Sequence, residues 1–499
     1  MSDDKDALAV SEAEPVKTNG SEDRPEPRTP VESGCQCSRG GLWWLALVVA
    51  VLLTVGVRLP LLGNPGFVGD QLHFLVWSEQ SRTSGVASVY AGRPDGSGKR
   101  WCNYPPAYLY VLRGLSDVYE WASGGKLDGS VILPFASGER TADTQWAAAV
   151  FKLPAVVADI VIVVLLMACL RRRLGIAGAA VASSLYALMP AVVHNSAVWG
   201  QIDAIPTLLV VGSLEMARRR RILGMLALGT LAVLTKAQAI VVLPIWLVLT
   251  VMWVGERPRR IAQAAAVVLA VAAIVLLPVV GALDGVWEAY GGAAGYYPFT
   301  HLNGFSAWFL ATPLLEPHLH DNLAEWYARD GVPGFLGLAL RTWGLLGFGC
   351  VAVCAMVVLW RRRCDERSLF WASRLLPLAF FVLSTQMHER YLFPAIAIWA
   401  WAACRSPRWW ACWIVVGLCV SANVVWAWPG PADASWVTAS RHLLYRPWLG
   451  AAPGVWCSLA TVCVLLLTFA GWVDGFSPGR SNRETATAHG SSVSTEAAE

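Results

Sequence analysis

Apolar residues in this chain fall in long unbroken blocks. After an opening of 1–38 rich in Ser, Glu, Asp, Pro and Lys, blocks recur at 42–62, 148–170, 174–194, 203–217, 222–235, 237–254, 261–282, 335–360, 369–387, 391–404, 408–428 and 449–470. A helix needs roughly 20 apolar residues to cross a bilayer, so blocks that reach or approach this length predict membrane-crossing helices. The first block lies too deep in the chain, behind an acidic stretch, for the core of a signal peptide, and it reads as a retained anchor. The ends, 1–38 and 473–499, hold too little apolar side chain to bury a core and are expected to be disordered, cytoplasmic tails. The body between them, 39–472, is expected to be all-α, a polytopic helical bundle of about 12–14 passes with a long first outer loop at 63–104 and a second at 283–334. Only 105–121 resists the alternation: either it pairs with a short second pass near 131–136, or it is re-entrant.

Block length carries a second message. Residues 222–255 are fewer than the roughly 40 that two full crossings require, so the turn Lys236-Ala237-Gln238 must lie below the outer surface. Irregular backbone and an ammonium at that depth are tolerated where they line a cavity. The short blocks 203–217 and 391–404 extend the argument to Asp203 and to His388-Glu389-Arg390.

Composition sharpens the class. The chain is 56% apolar and 15% charged, against about 25% charged in soluble domains. The net charge of +4 is small, and the arginines cluster at block ends: Arg171 to Arg173, Arg218 to Arg221, Arg257 with Arg259 and Arg260, Arg361 to Arg363, and Arg405 with Arg408. Such clusters mark cytoplasmic helix ends and leave no patch for nucleic acid. With the clusters inside, 63–104, 195–202, 283–334, the turn at His388 and 429–447 lie outside. Single cysteines within blocks (Cys169, Cys350, Cys354, Cys412, Cys419, Cys463) read as small buried hydrophobes, and Cys35-Gln36-Cys37 is too tight for a zinc site by itself. Arg113, Arg341 and Arg374 are expected to hold structural partners, and Asp159 to orient Lys236 or Arg390.

The remaining polar groups gather on the outer side. Asp70 opens a long loop suited to a substrate arriving from lipid, with a solvated loop aspartate as the plain alternative. Asp203 sits in a sunken turn, and His388-Glu389-Arg390 is either functional or a mutually neutralised cluster. One cavity holding acids (Asp70, Asp203) and cations (Lys236, Arg390, with His388) suits a group transfer. One acid takes a proton from a hydroxyl nucleophile while the cations stabilise an anionic leaving group. The planar arginine fork fits phosphate, and the apolar surroundings suggest a lipid phosphate. The aromatics Trp287, Tyr290, Tyr296, Tyr297 and Trp308 read as an interfacial belt or as a platform for a sugar ring.

Five motifs in order carry a resemblance: Gly69-Asp70-Gln71, Tyr104-Pro105-Pro106, Trp199-Gly200-Gln201-Ile202-Asp203, Thr235-Lys236-Ala237-Gln238, and His388-Glu389-Arg390-Tyr391 with Pro394. Together they resemble the GT-C glycosyltransferase superfamily, and within it bacterial membrane proteins related to the second mannosyltransferase of GPI-anchor assembly. The dolichyl-phosphate-glucose-dependent glucosyltransferases are similar in motif order. The stretch 296–308, with Asn303, resembles the superfamily's Asn-aromatic outer loop but departs in detail. The resemblance implies a GT-C bundle and an inverting transfer of a hexose, mannose foremost, from a polyprenyl-phosphate sugar to a lipid-linked or cell-envelope glycan, outside a bacterial plasma membrane. It implies Asp70 as base, Lys236, His388 and Arg390 on the donor phosphate, and Asp203, Gln201, Trp199, Tyr104, Gln238 and Asn303 around sugar or acceptor. Two departures matter. A lone Asp70 replaces a paired acidic motif, so neither a divalent metal nor another cofactor is expected. Asn103 also stands where an acid often precedes Tyr-Pro-Pro, so Asp70 and Asp203 both remain candidate bases, the first favoured.

A flippase for lipid-linked sugars would need similar cations at membrane depth. It would offer its site to both faces and usually carries internal repeats. Here no motif repeats between the halves, and the polar groups cluster on one side.

Overall fold

The computed structural model describes residues 34–92, 102–291, 297–315, 328–403, 406–432 and 434–471. The expected tails at 1–33 and 473–499, the side chains of Cys35 and Cys37, Tyr296 and Arg405 lie outside the described residues. The chain divides into Met1–Trp43, of which only the opening of a helix is described, and Trp44–Glu499, which holds the other described elements. That helix, Gly34–Arg58, begins within the stretch expected to be a disordered tail.

Among the described residues the fold is all-α apart from a two-residue parallel pairing. Among the described residues, seven helices are long and apolar enough to cross a membrane: Gly41–Leu61, Ala142–Leu188, Ala237–Val254, Pro258–Gly291, Leu340–Arg361, Pro407–Ala427 and Pro453–Ala470. Together with the composition, they make this an integral, multi-pass membrane protein. Other expected passes fall on the shorter helices Ala204–Arg218, Ile222–Thr235 and Phe393–Trp401, and on Glu366–Leu383, which is 18 residues long but carries Glu366, Arg367 and Arg374. The expected blocks 148–170 and 174–194 correspond to two helices within Ala142–Leu188 that meet at a kink, where Gly175 takes a non-helical φ of 77°. The second outer loop does not start as a loop at 283: the helix continues through a 3-10 stretch at Leu277–Ala282 into Leu283–Gly291.

The ambiguous stretch resolves into helices Pro106–Ser123 and Gly129–Ala136. Neither is among the seven. Pro106–Ser123 starts with Pro at N1, where no backbone N–H is needed, and ends at Gly124 in the left-handed conformation. It packs against helix Val68–Ser84 of the first outer loop. Their seam buries Phe74, Leu75 and Trp77 against Tyr104, Tyr108 and Leu112, so a dense aromatic core sits directly beneath the start of the loop helix.

Charges inside the helices find partners that the sequence does not specify. Asp159 does not reach Lys236 or Arg390; it pairs with Arg58 at 3.2 Å and accepts from the Tyr186 hydroxyl at 2.8 Å. Lys152 donates to the carbonyls of Asn64 at 2.6 Å and Ala197 at 2.9 Å, which ties the first loop to the segment before Trp199. Of the three arginines expected to be paired, Arg374 is buried and donates to the Ala402 carbonyl, whereas the Arg113 and Arg341 side chains are exposed on their helices. Cys350, Cys354 and Cys463 are exposed on the bundle, where an apolar solvent accepts a thiol as readily as a core does.

Candidate active site

The site is built where helix ends meet. Helix Val68–Ser84 starts at Phe67 and carries Asp70 in its first turn, where the helix N-terminus favours a negative charge. The Phe67 N–H donates to the Trp199 carbonyl at 3.0 Å, and the Gln71 amide donates to the Gly200 carbonyl at 2.6 Å. The loop helix is thereby fixed to a second segment far away in sequence. In that segment a π-helical turn, His194–Trp199, ends at Gly200 with φ 87°. A Cβ at Gly200 would stand 2.4 Å from Gln71 Nε2, so the approach requires glycine. Single π turns inside helical runs recur at functional sites.

This docking sets the acids apart. Asp70 Oδ2 accepts from Trp199 Nε1 at 2.8 Å and from Gln201 Nε2 at 2.5 Å. Both of its side-chain hydrogen bonds fall on that one oxygen, which leaves Oδ1 for a ligand. Asp203 is engaged on both oxygens: Oδ1 takes Lys236 Nζ in a buried ion pair, and Oδ2 accepts from Asn195 Nδ2 at 2.9 Å. Lys236 holds this place because helix Ile222–Thr235 stops at an extended residue, φ −155°, before a 3-10 turn resumes at Ala237. The turn expected between the two short blocks is therefore present, and Lys236 is buried in it.

The third segment is also anchored by backbone. His301-Leu302 pairs in parallel with Met387-His388, and the Asn303 backbone bridges His388. Asp330 Oδ2, fully buried, accepts from the Thr385 hydroxyl at 2.9 Å and the Gln386 amide at 2.7 Å. Arg390 leaves this brace to meet Glu389 at 2.5 Å and to approach Asp203 at 3.9 Å.

A cavity of about 270 Å3 opens between these segments. Asp70, Tyr104, Lys236, Gln238, His388 and Arg390 line it, six of the residues marked from sequence. Trp199, Gln201, Asp203 and Asn303 do not line it. The first three are buried immediately behind the wall, while the Asn303 carbonyl accepts from the Asn423 amide. The sequence reading missed His73, Trp77 and Glu288 in the lining, and Asn195 behind it. The run His194-Asn195-Ser196 within an apolar block was the available signal for Asn195. Of the aromatic cluster, Tyr297 reaches the cavity and packs edge-on against His388. Tyr290 and Trp308 donate to backbone carbonyls, and Trp287 is exposed. Burial pushes the Cys102 thiol in the wall up to about 12, so it stays neutral.

One face of the cavity thus offers a free carboxylate oxygen and another offers two cations, buried Lys236 and partly buried Arg390. Chemically, such an arrangement can accept a proton at one point and stabilise an anion at another. No protein-family model matches the chain, and no curated protein matches it. Among solved structures the chain is similar to ArnT from Cupriavidus metallidurans, crystallised bound to undecaprenyl phosphate, at 16% identity, covering 88% of this chain and 72% of that one, with a TM-score of 0.45.

Proposed function

We propose that the protein is a membrane glycosyltransferase of the GT-C kind. It moves a hexose, mannose foremost, from a polyprenyl-phosphate sugar to a lipid-linked or cell-envelope glycan acceptor on the outer face of a bacterial plasma membrane. The observation that carries this reading is the placement of Asp70 Oδ1 in the same cavity as Lys236 and Arg390. The motif order of the sequence supports it independently. An acceptor hydroxyl oxygen attacks the anomeric carbon from the face opposite the phosphate. Its proton passes to Asp70 Oδ1, and the bond from anomeric carbon to phosphate oxygen breaks with its electron pair left on the phosphate. Lys236 and Arg390 stabilise that charge as it forms, and His388 stands beside them. These cations supply the positive charge on this reading, so no divalent metal takes part.

Asp203 is the weaker base because Lys236 and Asn195 occupy both its oxygens. The test compares Asp70→Asn with Asp203→Asn. Asp70→Asn lowers transfer by at least about 100-fold, the typical minimum for loss of a general base, with expression and donor binding retained. Asp203→Asn frees Lys236 and raises the donor KM instead. Full activity in Asp70→Asn would move the base to Asp203.

A further inference from the structure

Between the acid and the cations lie two aromatic side chains, and both are placed the same way. Trp199 points its indole N–H at Asp70 Oδ2, 2.8 Å away, while the Arg390 guanidinium lies over its ring, 5.5 Å from the centroid. Tyr104 donates its hydroxyl to Gln201 Oε1 at 3.1 Å, and Gln201 donates in turn to Asp70 Oδ2. Lys236 Nζ lies over the Tyr104 ring, 5.6 Å from the centroid. Each aromatic therefore turns its polar edge toward the carboxylate and its electron-rich face toward a cation. Trp199 and Gln201 are almost fully buried and outside the cavity lining. Substrate contact does not explain Trp199, although the sequence resemblance implies it.

We infer that Trp199 and Tyr104 are positioning residues that join the base to the donor-phosphate site, so that one rigid layer fixes Asp70 relative to Arg390 and Lys236. This rests on the reading of Asp70 as base and of the two cations as the phosphate site. The physical argument has two parts. Two N–H donors on Oδ2 lock the carboxylate rotation and aim Oδ1 into the cavity, where a displacement of about 1 Å costs roughly 100-fold in rate. Arg390 Nη1 already donates to Glu389, and a guanidinium over an indole face is held in place electrostatically without using a further donor, so the rest of the fork is left to phosphate oxygens. The layer transmits position and takes no proton.

The two edges of Trp199 can be separated by substitution. In the full-length protein in detergent, Trp199→Phe keeps a ring face beneath Arg390 and removes the N–H, whereas Trp199→Leu removes both. Binding of undecaprenyl phosphate probes the cation side, and turnover of undecaprenyl-phosphate mannose with a crude cell-envelope acceptor extract probes the base side. For Trp199→Phe we expect kcat to fall at least about tenfold, the scale of one lost hydrogen bond to a charged group, with the Kd for undecaprenyl phosphate within about threefold of wild type. For Trp199→Leu the Kd should also weaken about tenfold, as loss of a desolvated cation–π contact implies. Tyr104→Phe, which keeps its ring under Lys236, should lower kcat at unchanged Kd even where Trp199 variants do not fold. A wild-type kcat in both Trp199→Phe and Tyr104→Phe, or unweakened undecaprenyl phosphate binding in folded Trp199→Leu, overturns the inference. A wild-type protein that transfers from no polyprenyl-phosphate sugar, or full turnover in Asp70→Asn, would overturn the underlying reading instead.

Discussion

Gly200 shows how closely the site depends on single atoms. Its φ of 87° already favours glycine, and an added Cβ would press on the Gln71 amide that donates to the Gly200 carbonyl. Gly200→Ala should therefore lower stability by roughly 1–3 kcal/mol, the cost of left-handed strain, and should lower transfer as well, because the same contact seats the helix that carries Asp70. Gly85 is the control: its φ is 83°, but nothing lies within 4 Å of its built Cβ. Thermal melts and initial rates on both variants check this. Gly85→Ala should lose stability alone, and an equal rate in the two variants would contradict the account. At this scale the charged residues were legible in the sequence. Asp70, Lys236 and Arg390 stand out because ionisable groups between apolar blocks are costly unless a cavity accommodates them. The roles of Trp199 and Gln201 were not legible, because an indole or amide in a motif does not announce whether its donor faces a substrate or a carboxylate. Asn195 was hidden for the same reason. Asp159 was misassigned because Arg58, its partner, lies at the end of a different block.

The elements carry the next prediction. His388, Glu389 and Arg390 follow a brace in which Asp330 accepts from Thr385 and Gln386 while Gln386 takes a positive φ of 62°. The Gln386 N–H lies 3.1 Å from the Phe299 carbonyl, so three separate stretches converge there. Asp330→Ala removes both side-chain bonds from a buried, strained turn. The donor KM should rise about tenfold, consistent with the loss of hydrogen bonds worth 1.5–3 kcal/mol each to a charged group, part of which relaxation recovers. Asp330→Asn, which keeps an acceptor, should recover much of the loss. Steady-state kinetics against donor concentration decide it, and unchanged KM in folded Asp330→Ala would remove the brace from the account. Block length had marked the helices that end early: Ile222–Thr235 stops before Lys236 and Phe393–Trp401 starts after Arg390. It could not show the brace, since a two-residue strand pairing leaves no periodic trace. It did mark the two helices within Ala142–Leu188, which part at the non-helical Gly175.

Over the whole membrane body, site and arginine clusters occupy opposite helix ends. Helix Ala204–Arg218 leads from Asp203 to the cluster, a rise of roughly 22 Å at 1.5 Å per residue. Helix Ile222–Thr235 returns to Lys236. The clusters also bind neighbouring helix ends: Arg173 donates to the Trp401 carbonyl at 2.6 Å, Arg218 approaches Glu366 at 3.6 Å, and Arg220 donates to the Cys364 carbonyl at 2.6 Å. Buried Glu215 gathers Arg218, Arg219 and the Trp401 indole. The basic groups that the sequence offers as topology signals thus also fasten the helix ends opposite the cavity. This polarity favours an enzyme that works on one face over a carrier that must open to both.

The central claim is transfer from a lipid-phosphate sugar with Arg390 at the leaving phosphate. The most direct measurement incubates the purified, detergent-solubilised protein with a panel of polyprenyl-phosphate sugars and crude lipid or glycan acceptors in EDTA. Nucleotide sugars serve as controls, and product is followed by mass spectrometry. The account predicts metal-independent turnover of a polyprenyl donor, no turnover of nucleotide sugars, and loss of turnover in Arg390→Ala. Saturable binding of lipid-linked sugars without turnover of any of them would contradict it and favour a flippase.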